Sequence, residues 1–312
     1  MKTSRTYVGF VDDDEPCEPP GENDDSAIRG SEEAKDYLTY CSVDDEGYET
    51  TYTLDEDEWD AISERVRQEE QLNVAPFSPF EELPGANDLT RVLPPTQREY
   101  PYRRVCYLTI GGCTGAIIGE RHVMTCAHCI YNRKKGKYYR KGKIYIARNG
   151  DTAPGSYHDV QEHFVTLDYK KKGLRRYDYG IKILSDNVNL TEVGRLHYRS
   201  HQPINEDETR VHIIGYPDDD RGYDPNGTER MWEGRGAARI SRRDDRVLKY
   251  FIDSVGGLSG APVLFYDDSR PYIIAIHSGY DRGDARNAGC YITDDVFIHF
   301  RKWKEDYPPI SY

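Results

Sequence analysis

Apolar residues in this chain come in short runs punctuated by turn residues. From Tyr100 onward such runs occupy 104–110, 116–118, 143–147, 181–184, 211–216, 250–253, 261–265 and 272–277. They are rich in Val, Ile, Tyr and Phe, with Gly, Asn or Asp between them and no alternating helical segments. That pattern predicts an all-β sandwich or barrel. Over 293–306 the spacing changes: Val296, Phe297, Phe300 and Trp303 recur with helical period, so the chain should end in a helix. Near the start, Thr53-Leu-Asp-Glu56 reads as a capping box. Trp59, Ile62 and Val66 follow at helical spacing, predicting a short amphipathic helix through Gln71.

Charge divides the 312 residues unevenly. Residues 1–91 carry 26 Asp and Glu against 7 Lys and Arg, a net of −19, whereas residues 92–312 carry 29 against 35, a net of +6. A segment so acidic and so poor in aliphatic residues should be largely disordered by itself. Closely spaced Pro and Gly over 75–85 mark a linker, which sets an acidic N-terminal segment at 1–82 and a folded domain at 83–312. The basic loops 133–143 and 170–176 have aromatics interleaved. A solvated hairpin is favoured over nucleic-acid binding for them, and they are also placed to hold the acidic segment by attraction. No apolar run reaches the roughly 18 residues of a membrane span.

Two motifs carry candidate chemistry. The run from Cys113-Thr-Gly to Cys126-Ala-His128-Cys129 ends an apolar strand in a Cys-flanked His, suited to be a general base. Far downstream, Gly256-Gly257-Leu258-Ser259-Gly260 can turn so that the amides of Gly257 and Ser259 face one point, beside a Ser nucleophile. Between them, Tyr177-Asp178-Tyr-Gly places a carboxylate at the mouth of a strand, where it can accept the imidazole's second N–H. The order His, Asp, Ser is one of the known triad orders. A metal held by Cys126, His128 and Cys129 is disfavoured by spacing, because no second cluster supplies a remaining ligand.

Taken with Tyr100-Pro-Tyr-Arg103, Gly215-Tyr-Pro217, Asp253-Ser254 and Ala275-Ile-His277, these motifs make the chain resemble the glutamyl endopeptidase branch of the chymotrypsin-fold serine proteases, over about Gly85 to Lys304. The resemblance implies two six-stranded antiparallel β-barrels with the site between them, and proteins or peptides as substrates. It implies His128, Asp178 and Ser259 as catalytic residues and Gly257 and Ser259 as the oxyanion hole. His277 and Ser254 would face an acidic substrate side chain, with selectivity weakening as His277 loses its proton. No metal or organic cofactor is needed for that chemistry. Asp253 leaves Lys or Arg specificity as the alternative, and a non-catalytic homologue acting as a binding module is a second one.

Leu258 replaces the Asp that trypsin-like zymogens use, so activation through that ion pair is not expected. Self-release between Glu82 and Leu83 fits a Glu-specific enzyme; cleavage at Arg91-Val92 would need a second protease. Cys113 and Cys129 sit where a disulfide would brace the His, which suits a secretory route, as do the glycosylation patterns at Asn189 and Asn226. Met1 to Phe10 has no apolar signal core, so a cytoplasmic location is the alternative. Seven cysteines are an odd number, and any pairing among Cys106, Cys126 and Cys290 stays open.

Overall fold

The computed structural model describes residues 2–11, 17, 19, 36–71, 89–150, 156–192, 195–200, 202–205, 209–217, 229–267, 269–281 and 286–311. The expected cut at Glu82-Leu83, with the 82/83 domain boundary, and the glycosylation pattern at Asn226 lie outside them, whereas Arg91-Val92 lies inside.

Six strands close the first barrel: Val105–Leu108, Cys113–Gly119, His122–Thr125, Gly180–Leu184, Ser156–Thr166 and Lys143–Ile146, each antiparallel to its neighbours. The second barrel runs Arg210–Gly215, Trp232–Ile240, Val247–Tyr250, Arg286–Tyr291, Arg270–Asp281 and Pro262–Asp267, again closed. Closure removes the edges that an open sheet would expose. Inward residues such as Val105, Ile117, Val123, Ile144 and Ile181 fill the first barrel; Val211, Ile213, Leu248, Val263 and Ile274 fill the second.

The first hairpin turns at Gly111 and Gly112, both at positive φ, a region in which glycine meets no steric cost. On the strand Trp232–Ile240, a Cβ on Gly236 would overlap the carbonyl of Phe251, so close backbone approach demands glycine there. The strands Ser156–Thr166, Trp232–Ile240 and Arg286–Tyr291 have no counterpart among the predicted runs. Their charged and Gly-rich sequences lack a clear apolar alternation.

The C-terminal helix, Asp294–Asp306, lies where its spacing predicts. Val296, Phe297, Phe300 and Trp303 are buried. The N-terminal helix is Glu56–Gln71, but its cap is Asp55, whose Oδ1 accepts the Glu58 amide at 2.8 Å, not the expected Thr53 box.

The expectation of a largely disordered acidic segment needs amending over 36–71 and Lys2–Tyr7. Thr39–Val43, wholly buried, pairs with Ser156–Thr166 of the first barrel, and Tyr48–Thr53 and Lys2–Tyr7 extend the same sheet. Tyr40 packs edge-on against Phe164 and Trp303, and its hydroxyl donates to Asp306 Oδ2 at 3.0 Å. Trp59 sits 5.2 Å from His299, and Lys302 pairs with Glu58 at 2.8 Å. Lys171 reaches Asp36 at 3.0 Å and Lys170 reaches Glu49. Segment charge and barrel charge thus meet across an apolar contact, and the apolar contact carries the larger energy.

Tyr40→Ala should therefore destabilise the folded chain by about 3–5 kcal/mol, as other large aromatic truncations do. Chemical denaturation measures this; a change below about 1 kcal/mol would show that the segment is only loosely applied.

Candidate active site

The register of the first barrel brings together His128 and Asp178, the residues expected as base and orienter. Thr125 pairs with Gly180, so the residues just beyond one strand end and just before the other emerge at the same rim. After Thr125 the chain passes through extended Cys126 into a single turn, Ala127–Cys129. Asp178 closes the turn Arg175–Tyr177. Both side chains are fully buried (0% exposed), and His128 Nδ1 lies 2.7 Å from Asp178 Oδ2. Asp178 Oδ1 also accepts the His128 amide at 2.9 Å, and Ser278 Oγ donates to Oδ2. A carboxylate held in this way fixes the Nδ1–H tautomer and leaves Nε2 as the proton acceptor.

Burial disfavours the imidazolium, but the negative charges of Asp178 and of Cys129 overcome it and raise the His128 pKa to about 10. Among the described residues His128 Nε2 makes no hydrogen bond, so the bond to Ser259 is not formed in this state. Such bonds commonly tighten only when substrate is bound.

Ser259, half-buried, lies in the turn between the second-barrel strands, and the first barrel clamps that turn. The Thr114 amide donates to Ser259 O at 2.9 Å, and Thr114 Oγ1 donates to Gly257 O at 2.9 Å while accepting the Tyr216 amide at 2.9 Å. Gly257 and Gly260 have φ of 84° and 87°, and a Cβ on Gly260 would overlap Thr114 O. Thr114 thus fixes the nucleophile turn across the interface between the barrels. Sequence reasoning passed over it inside the Cys-Thr-Gly motif, because nothing local distinguishes this hydroxyl from any strand threonine.

The second-barrel strand Arg270–Asp281 carries His277, also buried. Its Nδ1 is 2.6 Å from Tyr250 OH and its Nε2 is 2.9 Å from Ser254 Oγ. Burial keeps the Tyr250 phenol protonated, so it donates to Nδ1 and leaves the proton on Nε2, facing Ser254. Burial, then the positive Arg175 and His128, push the His277 pKa down to about 3. Burial thus favours the neutral ring in the free protein, against the expectation that selectivity weakens as His277 loses its proton. Asp253 is exposed, one residue before Ser254.

All seven cysteines are free thiols, so the expected Cys113–Cys129 bond is absent from this structure. Their sulfurs are nonetheless neighbours, with Cys17 as a third member of the group within 4.8 Å. Cys106, Cys126 and Cys290 donate instead to the carbonyls of Arg104, His277 and Arg176. Cys126, His128 and Cys129 do lie within 4.8 Å of one another, and Cys129 also belongs to the group with Cys17 and Cys113, but neither group of three gains a fourth ligand common to its members among the described residues. A metal on this group would withdraw His128 from its bond to Asp178 or occupy its Nε2, which sets it against a base function.

The trypsin family model matches residues 92–303. This chain belongs to the trypsin family of serine endopeptidases. It is 34% identical to a glutamyl endopeptidase of Bacillus licheniformis, over 74% of this chain and 71% of that one. A Bacillus subtilis protein named extracellular metalloprotease is 30% identical, over 70% of this chain and 68% of its own length. Among solved structures, that of a Glu endopeptidase in complex with MPD superposes with a TM-score of 0.62 at 27% identity, covering 71% of this chain and 98% of the other. The chain lies in the glutamyl endopeptidase branch of the family, and no helix among its described residues is long and apolar enough to cross a membrane.

Because Thr114 touches only backbone of the nucleophile turn, Thr114→Val should leave the protein folded while lowering kcat by about 10–100-fold with a smaller change in KM. Steady-state kinetics with a peptide substrate checks this; unchanged kcat would show that the clamp is dispensable.

Proposed function

We propose that this protease cuts peptide bonds after Glu, through an acyl-enzyme formed on Ser259. The observation that carries the reading is a buried imidazole, His277, held between Tyr250 and Ser254 and adjacent on its strand to Ser278, which donates to Asp178. In the reaction, Ser259 Oγ attacks the scissile carbonyl and His128 Nε2 takes its proton. Asp178 stabilises the imidazolium, and the amides of Gly257 and Ser259 receive the oxyanion. His128 then protonates the leaving amine, and water drawn through the same base releases the acyl group.

Neutral His277 would offer its Nε2–H, with Ser254, to the substrate carboxylate, and the bound charge would draw the ring's pKa upward. The alternative, selection of Lys or Arg by Asp253, has less in its favour because that carboxylate is exposed and not joined to the His277 cluster. The named activity of the Bacillus licheniformis relative agrees with Glu. We further take the enzyme to be secreted, with Cys113 paired to Cys129 outside the cell. The N-terminal segment would act as a pro-segment whose residues 36–71 stay packed on the barrel chiefly through Thr39–Val43 and Tyr40, with Lys170 and Lys171 pairing at its edge.

Digestion of a defined peptide library by the full chain, with cuts mapped by mass spectrometry, tests specificity. Cuts after Glu that vanish in Ser259→Ala are expected. Cuts after Lys or Arg would give the pocket to Asp253, and a folded chain without cuts would leave only a binding module.

The pH profile gives a separate check. A protonated base is inactive, so kcat/KM should rise with pH as His128 loses its proton. In Cys17→Ser, where Cys113 and Cys129 can pair without exchange, a disulfide at Cys129 removes one contribution to the raised pKa, so the midpoint should lie at lower pH in oxidised than in reduced enzyme. An identical midpoint with and without dithiothreitol would contradict that coupling.

A further inference from the structure

Cys17 belongs to the acidic segment, far in sequence from the barrels, yet its sulfur lies with those of Cys113 and Cys129. Cys113 opens a first-barrel strand, and Cys129 directly follows the base. The approach is close enough that a Cβ on Gly111 would overlap Cys17 Sγ, so only glycine at that turn admits the thiol. Two residues on, Pro19 lies against the other side of the site: a Cβ on Gly279 would stand 3.4 Å from Pro19 Cβ. Gly279 follows His277 and Ser278 on their strand, and its carbonyl is held by Arg175 at 3.0 Å. Cys17 and Pro19 therefore touch the two rims of the catalytic site, one beside the base and one beside the pocket strand.

We propose that Cys17 is a third partner in the cysteine chemistry at the base, forming a Cys17–Cys113 disulfide by exchange that holds Cys17 and Pro19 at the rims of the site and restrains substrate access. This rests on the reading that Cys113 and Cys129 can pair. Oxidised glutathione takes two electrons from Cys113 and Cys129, giving their disulfide and two reduced glutathiones. The Cys17 thiolate then bonds to Cys113 Sγ as the Cys113–Cys129 bond breaks. Cys129 leaves as a thiolate and the proton given up by Cys17 goes to solvent, with no net change of electrons.

The direction of exchange follows from the leaving group. Burial raises Cys129, while in the all-thiol form the hydrogen bonds from Cys113, Cys126 and Cys17 and the charge of His128 hold it well below an ordinary thiol. Once Cys17 and Cys113 are joined their S–H donors are gone, and Cys126 and His128 are left to favour the Cys129 thiolate. Burial holds Cys113 well above. The sulfur that better bears charge leaves. A Cys129 thiolate beside His128 would also keep the base protonated, so the cross-linked form is restrained both sterically and electrostatically.

The test equilibrates full-length protein in glutathione buffer, traps free thiols with N-ethylmaleimide, and maps disulfides by mass spectrometry, using Ser259→Ala to avoid self-digestion. Activity is measured in parallel on chains with native Ser259. A Cys17–Cys113 peptide is expected, together with several-fold higher activity of Cys17→Ser, which can form only Cys113–Cys129. Cys17 fully alkylated beside a complete Cys113–Cys129 bond would overturn the proposal, as would equal activity of Cys17→Ser and wild type. A serine-hydrolase probe separates the two readings. If Cys17→Ser is never labelled, the protease mechanism fails, while the disulfide map still decides the cross-link.

Discussion

One carboxylate organises the site. Asp178 accepts from the His128 amide, from the His128 ring and from Ser278, so it joins two loops of the first barrel to the pocket strand of the second. A buried charge with that many donors is expensive to leave unpaired, which makes the arrangement nearly all-or-none. Thr114 makes the reciprocal link, from the first barrel to the nucleophile turn of the second. The placement of His128, Asp178 and the Ser259 turn thus depends on the barrel–barrel contact rather than on local loop preference.

The acidic segment changes what must be counted as the folded unit. Its strand Thr39–Val43 completes a sheet that begins in the first barrel, and Tyr40 and Trp59 share aromatic contacts with the C-terminal helix. Removing the whole segment would uncover Phe164 and Trp303 and open the edge of Ser156–Thr166, a liability for any closed barrel. The same segment supplies Cys17 and Pro19 at the catalytic rims. One stretch of chain therefore both packs on the first barrel and places Cys17 and Pro19 beside the site.

The sequence already located the β class, the terminal helix and the family, because apolar runs, the 296–303 spacing and the motifs around His128 and Ser259 are local signals. The strands at 39–43 and 48–53 went unread because net charge was averaged across the segment. Their own Thr- and Tyr-rich composition favours strands. Tyr250, Thr114 and Cys17 gain their roles only from residues far away in sequence, so no local pattern could assign them. The downward push on the His277 pKa is illegible in the sequence for the same reason: its burial and its cationic neighbours are tertiary facts.

The most direct measurement is covalent labelling of the full-length protein with a fluorophosphonate, with the adduct located by mass spectrometry. The account predicts a single adduct on Ser259 that is lost in His128→Ala and strongly reduced in Asp178→Asn. Labelling elsewhere, or labelling of Ser259 that is indifferent to His128, would contradict it.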